Sequence, residues 1–452
     1  MKIIVCGGGS VGKSIVSYLV KGNNDVIVID RNQTRLDEIA KEYDVLPILG
    51  DASHPDVLER AGVKNADIIL AVTNIDEVNM VICQVAHTLF GVVRKIARID
   101  NEAFLDPIWG VLFNEQNIPI DLIISPDMEI AENILRILRF PGCFDILPVL
   151  GEEAYILTLK VPENCPLVNM PIMQFSRSDS NFDAAVVNIL RGNKCFLPQL
   201  DDTLKVGDEI NLIVKKDAVY NTITSFGLEN PTNERLVIFG GNKIAEYLGT
   251  QIEHDDTVVS CKIIESDIDN ARRLAKDLSH VIVIHGEMMS DVILSEADIN
   301  HADACIAVTT NDKDNLLASL LSSKRGVNTP IAVVNTPSYN SLMDDVGNNV
   351  LVDRSSITIS KLLKEIRKTK MTDAYSLSRG LAETWEIKIT EETGLIGKRI
   401  RMLNLPVGSR IIAIKRENEL IYSDNHTLLQ NGDDIILYVE STAVRQVEKI
   451  FA

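Results

Sequence analysis

The 452-residue chain is poor in features that mark several common classes of protein. Its seven cysteines are odd in number and scattered, with no C-x-x-C pair, so the sequence predicts neither a disulfide framework nor a metal site. No apolar run approaches the ~18–20 residues that span a bilayer. The opening MKIIVCGGG lacks the apolar region and cleavage site of a secretory signal. We therefore expect a cytoplasmic chain.

Basic residues are also outnumbered. The sequence has 45 Lys and Arg against 64 Asp and Glu, which gives a formal net charge of -19. Nucleic-acid binding depends on a basic surface that displaces counterions from phosphates. The composition lacks this surface, so nucleic acid is not an expected partner.

One sequence pattern occurs twice. KIIVCGGGSVGKSIVSYL at 2–19 returns as RLVIFGGNKIAEYLGTQI at 235–252, in each case an apolar strand, a glycine turn and a helical pattern. Later pairs keep the same order: VIVID with CKIIE, LGDAS with HGEMM, and ILAVTNIDEVNM with CIAVTTNDKDNL. A preserved order of this kind indicates a duplicated domain.

A second pattern follows each copy of the first. Residues 184–214 align with 409–439, and Leu204-x-x-Gly207-Asp208 returns as Leu429-x-x-Gly432-Asp433. Short strands with two-residue periodicity, broken by turn residues, predict a small domain with a β-sheet. The predicted fold class is α/β, with two Rossmann-like, doubly wound parallel-sheet domains, each followed by a small α+β domain.

An amphipathic helix is expected between the domains of each pair. In DMEIAENILRILRF (127–140) the apolar residues fall at helical spacing, and SITISKLLKEIRK (356–368) is its counterpart. The apolar stripe packs either against another subunit or within the chain. The predicted parts are 1–125 (Rossmann-like), 126–142 (linker helix), 143–228 (small domain), 232–354 (Rossmann-like), 355–371 (linker helix) and 372–452 (small domain).

CGGGSVGKSIV (6–16) satisfies two phosphate-binding patterns, GxGxxG and GxxxxGK[ST]. The dinucleotide pattern predicts an acid at the end of the next strand, about 20 residues on, and Asp30 is there. The P-loop pattern depends on Lys13 and Ser14, but the second copy has Glu246 and Tyr247 at these places. We therefore favour the dinucleotide type.

In that interpretation each glycine has a role. Gly7 permits the tight turn, Gly9 lets the backbone approach the pyrophosphate, and Gly12 allows close packing of helix on strand. Asp30 accepts hydrogen bonds from the ribose and repels a 2'-phosphate, which disfavours NADP, although the neighbouring Arg31 leaves that choice open.

Four further polar residues follow strands and are expected at the same sheet edge. Asp51 is either a ligand contact or the N-cap of the next helix. Thr73 and Asn74 contact the ligand or stabilise a turn. Arg98 ends an apolar strand, so it binds phosphate or forms an interdomain salt bridge.

The second copy departs from this pattern. Asn242 replaces Gly9, Ala245 replaces Gly12, and an apolar residue within PIAVVN (330–335) replaces Arg98. Glu265 stands at the position of Asp30 and keeps an acidic residue for binding ribose. A nucleotide is therefore still able to bind, through its adenosine half.

These residues together resemble the TrkA family, which is built from RCK (KTN) N-domains and C-domains. The resemblance is carried by MKIIVCGGGSVGKSIVSYLV, VIVIDRN, LGDASHPDVLERAGVKNADIILAVTNIDEVNM and KIARI, then by CPLV, VVNILRGN and LKVGDEI, and by the repetition of the whole set. It covers essentially the whole chain.

The resemblance implies a regulatory subunit for potassium transport, not an enzyme. It implies a tetrameric ring that binds NAD+ or NADH, with ATP and ADP as alternatives. The ring would gate a membrane potassium-translocating partner of the TrkH/TrkG type at the inner face of the cell membrane. The implied nucleotide contacts are Gly7, Gly8, Gly9, Ser10, Val11, Asp30, Thr73, Asn74 and Arg98, and in the second copy Gly240, Gly241, Asn242, Lys243, Ile244, Glu265, Thr309 and Thr310.

Two other functions remain open. An NAD-dependent oxidoreductase would need a histidine or another acid or base beside the nicotinamide, and the seven histidines are dispersed. A P-loop hydrolase would need Lys13 for magnesium-dependent hydrolysis.

Overall fold

A computed structural model describes residues 1–22, 24–175, 183–192, 194–228, 232–335, 339, 349–366, 371–417 and 419–451. The end of the expected linker helix at 355–371 and part of the expected domain at 232–354 lie outside these residues. The chain divides into two compact units, Met1–Glu129 with Ile357–Ile359, and Ile130–Ser356 with Ser360–Ala452.

The first unit contains a six-stranded parallel sheet in the order β3-β2-β1-β4-β5-β6. The strands are β1 (Lys2–Cys6), β2 (Asp25–Asp30), β3 (Leu46–Leu49), β4 (Ile68–Ala71), β5 (Arg94–Arg98) and β6 (Leu122–Ile124). The helices are α1 (Ser10–Lys21), α2 (Gln33–Glu42), α3 (Pro55–Arg60), α4 (Asp76–Phe90) and α5 (Glu102–Leu105). Helix α6 (Pro126–Arg139) begins in this unit, and its residues from Ile130 onward belong to the second.

This sheet is buried on both faces at its centre. Every residue of β4 and all of β1 after Lys2 are buried, as the continuous apolar runs of these strands require when helices cover both faces. The strand order reverses between β1 and β4. In open α/β sheets ligands bind at such a switch point, beyond the carboxyl ends of the strands.

The second unit begins with a five-stranded antiparallel sheet in the order β10-β9-β11-β8-β7. Its strands are β7 (Cys143–Val149), β8 (Ala154–Lys160), β9 (Ala184–Arg191), β10 (Lys194–Phe196) and β11 (Glu209–Lys215), with α7 (Ile172–Phe175) and α8 (Val219–Ser225).

A second parallel sheet follows, in the order β14-β13-β12-β15-β16-β17, which repeats the order of the first. Its strands are β12 (Arg235–Phe239), β13 (Ser260–Glu265), β14 (Ile282–His285), β15 (Ala304–Ala307), β16 (Thr329–Val334) and β17 (Val350–Asp353). Its helices are α9 (Lys243–Ile252), α10 (Ile268–Asp277), α11 (Asp291–Glu296) and α12 (Asp312–Lys324), and α13 (Arg354–Ile366) comes next.

The last sheet is antiparallel, in the order β18-β19-β22-β20-β21. Its strands are β18 (Asp373–Leu377), β19 (Ala382–Lys388), β20 (Ser409–Arg416), β21 (Glu419–Tyr422) and β22 (Asp434–Glu440), followed by α14 (Val444–Phe451). The predicted fold class is confirmed: two Rossmann-like sheets are each followed by a sheet of antiparallel strands.

The two antiparallel sheets share one apolar core. Its members come from both sheets and include Val149, Ile156, Ile213, Leu377, Ile412 and Tyr438. The apolar stripe of α6 is also covered, because Ile130, Ile134 and Ile137 are fully buried in the single chain. Of the two alternatives for this helix, packing within the chain is the one that the structure supports.

Each antiparallel sheet sends a tight turn to the other. Residues 150–152 and residues 378–380 occupy equivalent turns, and all six have φ between +49° and +81°. Four of the six are not glycine, so the backbone there is held in a region that such residues rarely adopt. The Oγ of Ser378 accepts hydrogen bonds from Nδ2 of Asn188 at 2.7 Å and of Asn211 at 3.1 Å.

The other turn meets a carboxylate. The N–H of Leu150 donates to Oε1 of Glu386 at 2.9 Å in a nearly buried position. Burial raises the pKa of Glu386 to about 7, and the nearby Asp373 and Asp434 act in the same direction, while the bond from Leu150 opposes them. Burial and the neighbouring carboxylates therefore favour the protonated form of Glu386 in the folded chain, against the effect of the Leu150 bond.

Among the described residues, no helix has both the length and the apolar character needed to cross a bilayer.

Replacing Glu386 by glutamine should remove a pH dependence from stability. The folded-state pKa is raised, so the contribution of Glu386 is present below about pH 4.5 and is lost as the pH rises through about 7. As the pH rises from 5 to 8, the wild type should lose up to about 3 kcal/mol of unfolding free energy that Glu386→Gln keeps. Denaturant unfolding at both pH values measures the loss. Glu391→Gln, which alters an exposed carboxylate, is the control. If both variants differ from wild type by the same amount over this pH range, the prediction is wrong.

Candidate functional site

A cavity of about 370 Å³ lies in the first unit where β1, β2, β4 and β5 end. It is lined by all of the residues predicted for the first copy except Gly8. Several further lining residues were not predicted from the sequence: Ile29, Asn32, Arg35, Gly50, Ala52, Val72, Ile75 and Val78. A cavity of this size is in the range that holds small ligands.

The three glycines of the motif differ in what surrounds them. Gly7 has a φ of +114°, and a β-carbon there would lie 2.8 Å from the carbonyl oxygen of Val72. A β-carbon on Gly12 would lie only 1.8 Å from the carbonyl oxygen of Gly7, whereas one on Gly9 would have no protein atom within 4 Å. Gly7 and Gly12 therefore serve the fold of the loop, and Gly9 faces open space in the cavity.

Helix α1 begins at Ser10, directly after Gly9. Gly9 is its N-cap residue and has no side chain with which to accept hydrogen bonds from the first turn. The N–H groups of a first turn have no partner within the helix, and the helix dipole adds a partial positive charge. Such an end is a binding site for anions such as phosphate.

Asp30 ends β2 beside this helix end. Its carboxylate accepts hydrogen bonds from the N–H of Gly8 at 2.6 Å and the N–H of Asn32 at 2.7 Å. An ionised carboxylate has about four acceptor positions. Two are used by the backbone, which fixes the side chain, and the others are available to a ligand.

Asp51 lines the cavity and is not an N-cap residue. The N-cap of α3 is His54, so that alternative for Asp51 is wrong. Asp51 instead accepts from the N–H and Oγ of Ser53 at 3.0 and 2.7 Å and pairs with Arg31. Partial burial raises the pKa of Asp51, but the bonds from Ser53 and the charge of Arg31 outweigh it, so the pKa is lowered.

Thr73 is held by a residue that the sequence analysis missed. Asn79, on α4, is fully buried, and its Oδ1 accepts from the N–H and Oγ1 of Thr73 at 2.9 and 2.8 Å. Its Nδ2 donates to the carbonyl oxygens of Thr73 at 3.1 Å and Arg98 at 2.8 Å. Asn79 thereby ties together two edges of the cavity. Asn74, next to Thr73, is exposed and lines the cavity.

Arg98 forms its ion pair inside its own domain. Its Nε donates to Oδ2 of Asp100 at 2.6 Å, so the interdomain salt bridge is not the partner that the structure shows. Burial raises the pKa of Asp100 against the opposing effect of Arg98. Arg98 lines the cavity while it is paired with Asp100.

Lys13 points to a different surface. Its Nζ lies 2.6 Å from Oε2 of Glu42 on α2, and Lys13 does not line the cavity. In a P-loop this lysine reaches the phosphates. The pairing with Glu42 therefore disfavours the P-loop interpretation.

The second copy keeps the glycine loop, but the side chain of Asn242 occupies the start of the helix that follows it. Gly240 has a φ of +96°, as the tight turn requires, while Asn242 is the N-cap of α9 and accepts from its first turn. Lys243 is exposed at the start of α9, and Ile244 is fully buried. Glu265 ends β13, and Thr309 bonds to Asn315 as Thr73 bonds to Asn79, with the exposed Thr310 beside it. Asn79 and Asn315 coincide in the sequence repeat, which is the signal that would have identified them.

No cluster of three or more His, Cys, Asp or Glu side chains is arranged to hold a metal ion in the part of the chain that the structure describes.

The fold is that of a tandem RCK protein. The crystal structure of the GsuK RCK domain is similar over 100% of this chain and 94% of that one, with a TM-score of 0.63 and 17% identity. The structure of the GsuK channel bound to NAD is similar over 100% of this chain and 78% of that one, with a TM-score of 0.62 and 18% identity.

Sequence comparison gives the family. Residues 3–126 and 236–354 match the TrkA-N domain, and residues 156–227 and 385–452 match the TrkA-C domain. The Trk system potassium uptake protein TrkA of Azorhizobium caulinodans is 33% identical over 100% of this chain and 98% of that protein. The protein of the same name from Halomonas elongata is 31% identical, again over 100% and 98%. The chain belongs to the TrkA family.

Two glycine substitutions should distinguish Gly12, which the loop needs for its fold, from Gly9, which faces open space in the cavity. Gly12→Ala should lower the unfolding free energy of the first unit by about 1–3 kcal/mol, because the loop must shift to admit the methyl group. Gly9→Ala should cost less than about 1 kcal/mol, since its space is open and its φ of -69° suits any residue. Denaturant unfolding of both variants measures the difference. Equal losses would contradict these roles.

Proposed function

We propose that this chain is the nucleotide-binding regulatory subunit of a potassium uptake system. In this proposal it binds to a membrane potassium-translocating subunit of the TrkH/TrkG type at the inner face of the cell membrane and gates it. Membership of the TrkA family supports the potassium system. The uncapped start of α1, which opens into a cavity between Asp30 and Arg98, is the observation that carries the nucleotide site.

The cavity suits a ligand with a diphosphate and a ribose. The phosphates would accept hydrogen bonds from the N–H groups of Ser10 and Val11, where Gly9 leaves space. The ribose hydroxyls would donate to Asp30, and Arg98 would balance the phosphate charge. Thr73 and Asn74 would border the ligand on the β4 side, and Asp51 on the β2 and β3 side.

NADP fits less well than NAD. Asp30 repels a 2'-phosphate, and Arg31, the residue that left this choice open, is paired with Asp51. NAD+, NADH, ATP and ADP share the adenosine and diphosphate parts that the cavity addresses. Related structures are described as GsuK bound to NAD and GsuK bound to ADP, the latter with a TM-score of 0.51.

The lining favours recognition over chemistry. Among the described residues that line the cavity none is a histidine, lysine or cysteine. Its two carboxylates are held by the protein, Asp30 by the N–H groups of Gly8 and Asn32 and Asp51 by Ser53 and Arg31. A bound nucleotide that prefers one arrangement of the assembly shifts the population toward it, by its difference in affinity alone. We propose that a tetrameric ring of these chains passes that shift to the membrane subunit.

Potassium flux into vesicles that carry the Trk-type membrane subunit of the same organism tests this proposal. With the wild-type chain, adding NAD+, NADH, ATP or ADP should change the flux by several-fold for at least one nucleotide. Gly9→Asp should abolish the response, since its carboxylate would stand where the phosphates bind. Calorimetric titration of the same proteins reports binding.

Lys13→Ala is the matched control, a change on the same helix that removes only the pair with Glu42. It should respond as the wild type does. Unchanged flux with a bound nucleotide would disprove gating, and hydrolysis that Lys13→Ala abolishes would restore the P-loop interpretation. Substrate-dependent hydride transfer would instead indicate an oxidoreductase.

A further inference from the structure

We propose that Asn242 substitutes for a bound diphosphate in the second α/β domain, so that the chain binds one nucleotide, in its first α/β domain only. This inference rests on the proposed function of the first domain. It makes Asn242 the residue that decides how many nucleotides each chain binds, and it leaves the second domain in one state whatever the nucleotide concentration.

At the start of α9 the side-chain amide of Asn242 forms hydrogen bonds through both its oxygen and its nitrogen. The Oδ1 of Asn242 accepts hydrogen bonds from the N–H groups of Ile244 at 3.0 Å and Ala245 at 3.2 Å. Its Nδ2 donates to the carbonyl oxygen of Val308, which follows β15. The side chain thus takes the N–H of Ile244, the equivalent of the Val11 N–H that a phosphate would use in the first copy, and is anchored at its other end. Gly9, at the same place in the first copy, offers neither contact.

The carboxylate of Glu265, the last residue of β13, is already bound by groups of the protein. Glu265 accepts from the N–H groups of Gly241 and Asp267, both at 2.8 Å, and from Nδ2 of Asn270 at 2.9 Å. The hydroxyl of Ser266 donates to it at 3.3 Å. Burial raises the pKa of Glu265, but these bonds outweigh it and lower the pKa, so the carboxylate is ionised and its acceptor positions are used.

Asp30 differs from Glu265 because of one neighbour. Each helix after the acid starts at a side-chain cap, Asn32 with the N–H of Arg35 and Asp267 with the N–H of Asn270. Arg35 and Asn270 are therefore equivalent. Asn270 bonds to both Glu265 and the carbonyl oxygen of Gly241, which closes the place where ribose hydroxyls would enter. Arg35 forms only a long ion pair with Asp30, with Nη1 3.9 Å from Oδ2, and donates no hydrogen bond to it.

The positive charge of Arg98 has no counterpart in the second copy. Asn79 donates to the carbonyl oxygen of Arg98, and Asn315 donates in the same way to that of Val333. Val333 is thus the residue that replaces Arg98, and it is buried. The second copy keeps the contacts that hold the fold, such as Thr309 with Asn315. Its own groups occupy the N–H of Ile244 and the acceptor positions of Glu265, and it has no cation in the place of Arg98.

Calorimetric titration of the full-length chain with ADP tests the inference. The wild type should bind one equivalent per chain, and Gly9→Asp should bind none. Two equivalents in the wild type, with one remaining in Gly9→Asp, would overturn this inference and leave the proposed function standing. No binding by the wild type would overturn both.

A second pair of variants tests Asn242 directly, with inorganic pyrophosphate as the probe. In the Gly9→Asp background, Asn242→Gly should bind about one equivalent, because the start of α9 is uncapped. Asn242→Asp should bind none, since aspartate also caps a helix and repels the anion. If circular dichroism shows that Asn242→Gly is folded and the variant binds no pyrophosphate, the proposal that Asn242 takes the place of a diphosphate is wrong. If that variant does not fold, the ADP stoichiometry decides.

Discussion

The N–H groups at the start of an α-helix need acceptors, and this chain meets that need in two different ways. After β12 the acceptor is the side chain of Asn242, which belongs to the protein. After β1 the equivalent residue is Gly9, which has no side chain to offer. The first domain therefore needs an acceptor from outside at this helix start, and the second does not.

The rest of the first cavity is arranged to keep that helix end in place. Gly7 and Gly12 bring the loop close to the helix and to β4, and the Asp30 carboxylate holds the loop through the N–H of Gly8. Asn79 fixes the far wall by bonding to Thr73 and Arg98. Most of these groups bond to backbone, so the cavity is formed before a ligand arrives, which limits the entropy lost on binding.

Much of this architecture was predictable from the sequence, because the repeat and the apolar strands fixed both Rossmann-like sheets and the loop with its acid. The repeat also showed that Asn242 replaces Gly9. It did not show that Asn242 caps α9 or that Asn270 closes Glu265, since these contacts depend on how separate loops meet in space. The contact of Leu150 with Glu386 was hidden for the same reason, as the two residues are far apart in sequence. Asn79 resembles any polar residue on a helix until it is compared with Asn315.

The most direct test of this account is an experimental structure of the full chain with saturating ADP. The account predicts the diphosphate within hydrogen-bond distance of the N–H groups of Ser10 and Val11, the ribose hydroxyls on Asp30, and Asn242 still bonded to Ile244 and Ala245. ADP at the start of α9 with the Asn242 side chain displaced, or a first cavity that stays empty, would contradict it.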